Sequence, residues 1–166
     1  MNETINRRMF LGQAAAAALA FGAFPGGAAE KDATPRKLKL GLIGCGWYGM
    51  VDVKAALKAG GVELIALCDV DSEHLAQSAA EVEKLQGTRP LTFKLYPELL
   101  ATPGLEAVII ATPPQWHALP FLAALEKGLH VYCEKPLAYD VREGRAMAEA
   151  AARSGRVVAL EEIDHT

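Results

Sequence analysis

Gly44-Cys45-Gly46-Trp47-Tyr48-Gly49 follows an apolar run from Leu38 to Ile43, and Asp69 closes a second apolar run, Val62 to Cys68. Each residue type in that order meets a need of one kind of ligand. The first glycine lets the chain turn sharply out of a strand. The second leaves no side chain where a pyrophosphate must approach the backbone. The third lets the next helix lie close on the sheet, its free N–H groups and positive dipole end facing the phosphates. Asp69 supplies a carboxylate that accepts from both hydroxyls of an adenosine ribose and repels a 2'-phosphate. No arginine follows it in Val70-Asp71-Ser72, so the expected cofactor is NAD rather than NADP. Gly44, Gly46, Trp47, Tyr48, Gly49 and Asp69 form the first part of the expected cofactor-binding set.

Two further segments carry reactive groups. Ala111-Thr112-Pro113-Pro114-Gln115-Trp116-His117 and Cys133-Glu134-Lys135-Pro136 each follow an apolar run of strand length. In a parallel sheet both open onto the same crevice as Gly44 and Asp69. Lys135 there is a compact cation that can donate to a substrate hydroxyl, polarise a carbonyl or move a proton. Glu134 can pair with Lys135 or bind a ribose hydroxyl. Without that position, a Glu-Lys-Pro triplet reads as a solvated turn.

The elements that must hold these residues alternate regularly. Strands are expected over 38–44, 62–69, 91–95, 107–111, 130–133 and 157–160. Helices are expected over 47–59, 72–86, 97–101, 115–127 and 140–154. Asp71 or Ser72 can cap the second helix, and Asp140 with Glu143 has capping-box spacing for the last. Gly60, Gly61, Gly87, Gly128 and Gly155 stand where helices should stop. Strand and helix alternating in this way give an α/β, doubly wound parallel sheet of Rossmann type over residues 37–160, with the ligand at the carboxyl ends of the strands.

Composition narrows the function class. The chain is 51% apolar and 22% charged with a net charge of −3, enough to build a core and without the basic stripe that nucleic acid requires. Cys45, Cys68 and Cys133 are an odd three without CxxC spacing, and read as small packing residues at strand ends. His74, His117, His130 and His165 are too scattered to suggest a metal, and none is expected. Trp47 and Trp116 flank the crevice.

The first residues read separately. Arg7-Arg8 precedes an alanine-rich stretch, Phe10 to Phe24, that is too short for a stable membrane anchor, and Gly27-Ala28-Ala29 offers small residues for a peptidase. Residues 1–29 resemble a twin-arginine export signal, with Asn6 where Ser or Thr is usual and Gly12 where Lys is common; 30–36 are a linker. A periplasmic location follows as an expectation, with no stable membrane insertion after cleavage. That route carries folded proteins, so a cofactor can be loaded before export.

From Gly44 to Gly49, Cys68-Asp69-Val70, Ile110-Ala111-Thr112-Pro113 with His117, and Glu134-Lys135-Pro136, the chain resembles the Gfo/Idh/MocA family, the glucose-fructose oxidoreductase and inositol dehydrogenase relatives. The resemblance covers residues 37–160. It implies an NAD(P)-dependent oxidoreductase acting on a sugar, polyol or related hydroxyl compound, a homo-oligomer in its complete form. Lys135 is then the catalytic residue beside nicotinamide and substrate, the bond before Pro136 is often cis, and Thr112, Pro113 and His117 line the cofactor pocket. Family members continue into an α+β substrate domain, whereas residues 161–166 read as an acidic tail; the chain is therefore expected to lack that domain and to be incomplete for turnover. A non-catalytic dinucleotide-binding module and part of an NAD-dependent glycosidase are the alternatives.

Overall fold

The computed structural model describes residues 36–161; the signal-like segment and residues 162–166 lie outside them. A six-stranded sheet in the order β3-β2-β1-β4-β5-β6 is parallel throughout. The strands are β1 Leu38–Ile43, β2 Val62–Cys68, β3 Leu91–Phe93, β4 Ala107–Ile110, β5 His130–Cys133 and β6 Val158–Leu160. The helices are α1 Trp47–Ala59, α2 Ser72–Gln86, α3 Tyr96–Leu100, α4 Ala118–Glu126 and α5 Val141–Ser154. Strand order reverses between β1 and β4, so the connections leaving them diverge and open a crevice at their carboxyl ends.

The central strands read as continuous apolar runs because both faces are covered. All of Ala107–Ile110 is buried, as are the last four residues of β1. Leu42, Val53, Leu64, Leu67 and Val82 pack on one side, and Val108, Ile110, Phe121, Val131 and Met147 belong to the other cluster. Among the described residues no helix is long and apolar enough to cross a membrane.

The helix boundaries follow local chemistry. Asp71 caps α2 by accepting from the N–H groups of Glu73 and His74 at 2.8 and 3.1 Å. These bonds hold its carboxyl below the usual range. Asp140 caps α5 by accepting from Glu143 N–H at 2.9 Å, but the Glu143 carboxylate accepts from Tyr139 N–H rather than closing the box on Asp140. The expected helix 115–127 is two elements: a 3-10 turn, Pro114–Trp116, then α4. Pro120 is accommodated because it falls in the first turn of α4, where N–H groups have no intrahelical partner. Strand β3 is shorter than the expected 91–95, since Lys94 and Leu95 already bend toward α3.

Two glycines are fixed by contact as well as by the turn. Gly44 has φ +97°, and a Cβ there would stand 2.7 Å from the Ala111 carbonyl. A Cβ on Gly49 would stand 2.1 Å from the Gly44 oxygen, so α1 can begin directly against the turn only without a side chain at that position.

Candidate functional site

The parallel ladder does not stop where the strands end. Asp69 N–H donates to Phe93 O, Gly44 to Cys68 O, Ala111 to Ile43 O, Glu134 to Ile110 O, and Glu161 to Cys133 O, at 2.9 to 3.2 Å. The first residues past five strands therefore form one row across the carboxyl edge, in the order Asp69, Gly44, Ala111, Glu134, Glu161. Neighbouring strands are about 4.8 Å apart, so Asp69 and Glu134 stand about 14 Å apart along the row.

A cavity of about 1070 Å³ lies over this row from Asp69 to Glu134. Of the residues expected from sequence, Gly44, Gly46, Trp47, Tyr48, Asp69, Thr112, Pro113, Glu134 and Lys135 line it. Two do not. Gly49 is buried beneath the turn, where it sets the approach of α1. His117 is fully buried, and the expectation that it lines the pocket is corrected by its surroundings. Its Nδ1 lies 3.0 Å from the Pro136 carbonyl and its Nε2 lies 2.6 Å from the Thr112 carbonyl. A neutral ring donates to one of these oxygens and a doubly protonated ring to both. His117 thus ties the loop after β4 to the loop carrying Lys135.

At the Asp69 end the carboxylate is held by backbone. Cys45 N–H donates to its Oδ2 at 2.7 Å and Asp71 N–H to its Oδ1 at 2.9 Å, leaving lone pairs for ribose hydroxyls. Ser78, buried on α2, donates to the Cys45 carbonyl at 3.1 Å and pins the turn from beneath. Neither the Ser78 tether nor the Cys45 bond is visible in sequence, because each joins segments more than twenty residues apart.

The middle of the cavity suits a pyrophosphate. Helix α1 starts at Gly46 without a side-chain cap and without an acidic residue in its first turn, so its leading N–H groups are free for an anion. A Cβ at Gly46 would meet nothing within 4 Å. Thr112 Oγ1, buried and without a hydrogen-bond partner, adds an unmet polar group between the two ends.

At the other end Lys135 is half-buried, with Nζ 4.8 Å from the centre of the Tyr48 ring. Tyr48 in turn packs against Trp47 with ring centroids 4.7 Å apart. The Lys135–Pro136 bond is cis. Glu134 is only 4% exposed, and its Oε2 accepts from Lys135 N–H at 3.1 Å. Asp52 and Glu161 approach it, and burial, followed by the Glu161 charge, pushes the Asp52 carboxyl up to about 6. Glu161 is raised, foremost by the Glu134 carboxyl beside it. Burial, then the charges of Asp52, Glu161 and Glu134, push the Tyr132 phenol up to about 12. The three cysteines are buried and unpaired, and burial foremost pushes each thiol up to about 12, which makes them packing groups rather than nucleophiles.

A parallel sheet with a reversal point, a glycine turn into an uncapped helix and an acid closing the second strand define a dinucleotide-binding Rossmann domain. The chain belongs to the Gfo/Idh/MocA oxidoreductase family, NAD-binding Rossmann fold, whose profile matches residues 38–162. It is 34% identical over 123 residues to inositol 2-dehydrogenase 4 of Saccharopolyspora erythraea, covering 73% of this chain and 35% of that protein. A glycosyl hydrolase family 109 protein of Stenotrophomonas maltophilia is 35% identical over 105 residues, covering 60% of this chain and 23% of the relative. The crystal structure of the WlbA dehydrogenase from Chromobacterium violaceum, in complex with NADH and UDP-GlcNAcA, superposes with a TM-score of 0.69 at 27% identity, over 81% of this chain and 37% of that one. The chain thus spans about a third or less of the length of the curated relatives named here.

Replacing His117 by leucine removes the buried ring that links the Thr112 and Pro136 carbonyls. Because a hydrogen bond contributes about 0.5 to 1.5 kcal/mol net, His117→Leu is expected to lower unfolding free energy by about 1 to 2 kcal/mol. Urea unfolding with an unchanged midpoint would contradict this tether.

Proposed function

We propose that this chain is the cofactor-holding part of an NAD-dependent dehydrogenase acting on a hydroxyl group of a sugar, a polyol or a sugar derivative. The observation that carries the reading is the single cavity with the Asp69 carboxylate at one end and Lys135 at the other. Asp69 holds the adenosine ribose, while Gly44, Gly46 and the start of α1 receive the pyrophosphate. Thr112 and Pro113 form the wall between, and Glu134 meets the second ribose. Bound there, NAD would supply the hydride acceptor for oxidation of the substrate carbon. Lys135 donates a hydrogen bond to the reacting oxygen and, in its neutral form, takes the hydroxyl proton. Trp47, Tyr48 and Trp116 exclude water from the walls.

The substrate class rests on likeness to an inositol dehydrogenase and to a dehydrogenase crystallised with a nucleotide sugar. Likeness to a family 109 glycosyl hydrolase supports a second reading, in which the same hydride site serves cleavage of a glycoside.

Preference for NAD follows from charge. The Asp69 carboxylate repels a 2'-phosphate, and the cavity wall beside it offers Val70 and Asp71 rather than an arginine. Calorimetric titration is expected to show NAD(H) binding tighter than NADP(H), with Asp69→Ala narrowing the difference. Tighter NADP(H) binding by the unaltered chain would overturn the assignment.

We further propose export by the twin-arginine route to the periplasm, supported by Arg7-Arg8 ahead of the weakly apolar run from Phe10 to Phe24. Arg7→Lys combined with Arg8→Lys is expected to retain the protein in the cytoplasm on cell fractionation. Unchanged export of the double variant would exclude that route.

A further inference from the structure

Register places two carboxylates side by side beyond the last strands. Cys133 pairs with Leu160, so Glu134 and Glu161 occupy matching positions on adjacent parallel strands, and α1 brings Asp52 onto the same spot. One carboxylate oxygen from each of the three lies within 4.8 Å of the others. Glu134 is itself 96% buried by the measure of its 4% exposure, and its Oε1 has no hydrogen-bond partner. Asp52 Oδ2 and Glu161 Oε2 are likewise buried and unmet. Among the described residues no lysine or arginine forms an ion pair with any of the three. Lys135, next in sequence to Glu134, sits over the Tyr48 ring instead.

Three oxygens of acid groups facing one another, without a donor, require a cation or retained protons. An ion fits the geometry. Oxygens bound to one hard cation at about 2.1 to 2.4 Å stand no more than about 4.8 Å apart, and one oxygen from each of the three acids lies within 4.8 Å of the others. The donor set is all carboxylate, without sulfur or imidazole, and so suits magnesium, manganese or calcium rather than zinc or copper. We propose that Asp52, Glu134 and Glu161 bind one hard divalent cation beside Glu134, the one of the three that also lines the cavity. Water completes its coordination. The ion fixes the Glu134 side chain and the carboxyl ends of β5 and β6, and it places a second positive charge near Lys135. This does not depend on dinucleotide binding.

The test uses the purified 166-residue chain and Mn²⁺. Electron paramagnetic resonance of free Mn²⁺ is expected to reveal one saturable site per chain from which Mg²⁺ or Ca²⁺ displaces the probe. Asp52→Asn and Glu161→Gln are each expected to weaken it by about tenfold or more. Each should also raise the melting temperature in EDTA, because each removes one of three facing carboxylates. A merely structural role for these acids predicts the opposite shift. Should a variant fail to fold, Mn²⁺ broadening of amide NMR signals in the unaltered chain decides the matter: loss centred on residues 52, 134 and 161 supports the site. Absence of saturable binding, binding of unchanged affinity in both variants, or broadening centred elsewhere would overturn it.

Discussion

The site depends on the parallel register of six strands, and above all on the ladder running one residue past them. Because backbone N–H groups of Asp69, Gly44, Ala111, Glu134 and Glu161 each bond to the last carbonyl of a neighbouring strand, their spacing is set by the sheet and not by flexible loops. In the function proposed above, an elongated ligand with a ribose near each end meets a carboxylate at Asp69 and another at Glu134, about 14 Å apart by strand spacing. Rigid placement of this kind limits the freedom that binding must remove.

Two loops still have to be held above that row. Gly44 and Gly49 let the β1–α1 turn lie against the Ala111 backbone with no intervening side chain, and Ser78 fastens the same turn from α2. On the opposite side the buried His117 ring spans Thr112 and Pro136. The histidine that the family resemblance put against the cofactor lies one layer beneath the cavity wall. It carries the position of the Lys135 loop back to α4, whose remaining buried face packs into the core.

What sequence made legible follows from which constraints are local. The glycine turn, the acid closing β2 and the helix-stopping glycines each reflect a backbone requirement satisfied within a few residues. Gly60, Gly61, Gly87, Gly128 and Gly155 all take positive φ at the expected ends. The place of Glu134 and Lys135 was legible because alternation of strands and helices puts every carboxyl end on one edge. The bonds to His117, Cys45 and Ser78 were not, since each joins distant segments through a contact that no periodicity announces. The acid cluster was hidden for the same reason. Asp52 lies within a helix, Glu161 begins what reads as a charged tail, and only the pairing of β5 with β6 brings them to Glu134. The split of the helix near Pro114 turned on side-by-side prolines, whose effect depends on where the first α-helical turn begins.

In the function proposed above, one ligand spans the carboxyl edge from Asp69 to Glu134 and Lys135. Amide NMR shifts of the 166-residue chain during titration with NAD measure this directly. The account predicts that signals of Cys45, Gly46 and Asp69 move together with those of Thr112, Glu134 and Lys135, along one saturation curve. Shifts confined to the Asp69 end, with Glu134 and Lys135 unmoved at saturation, would contradict it.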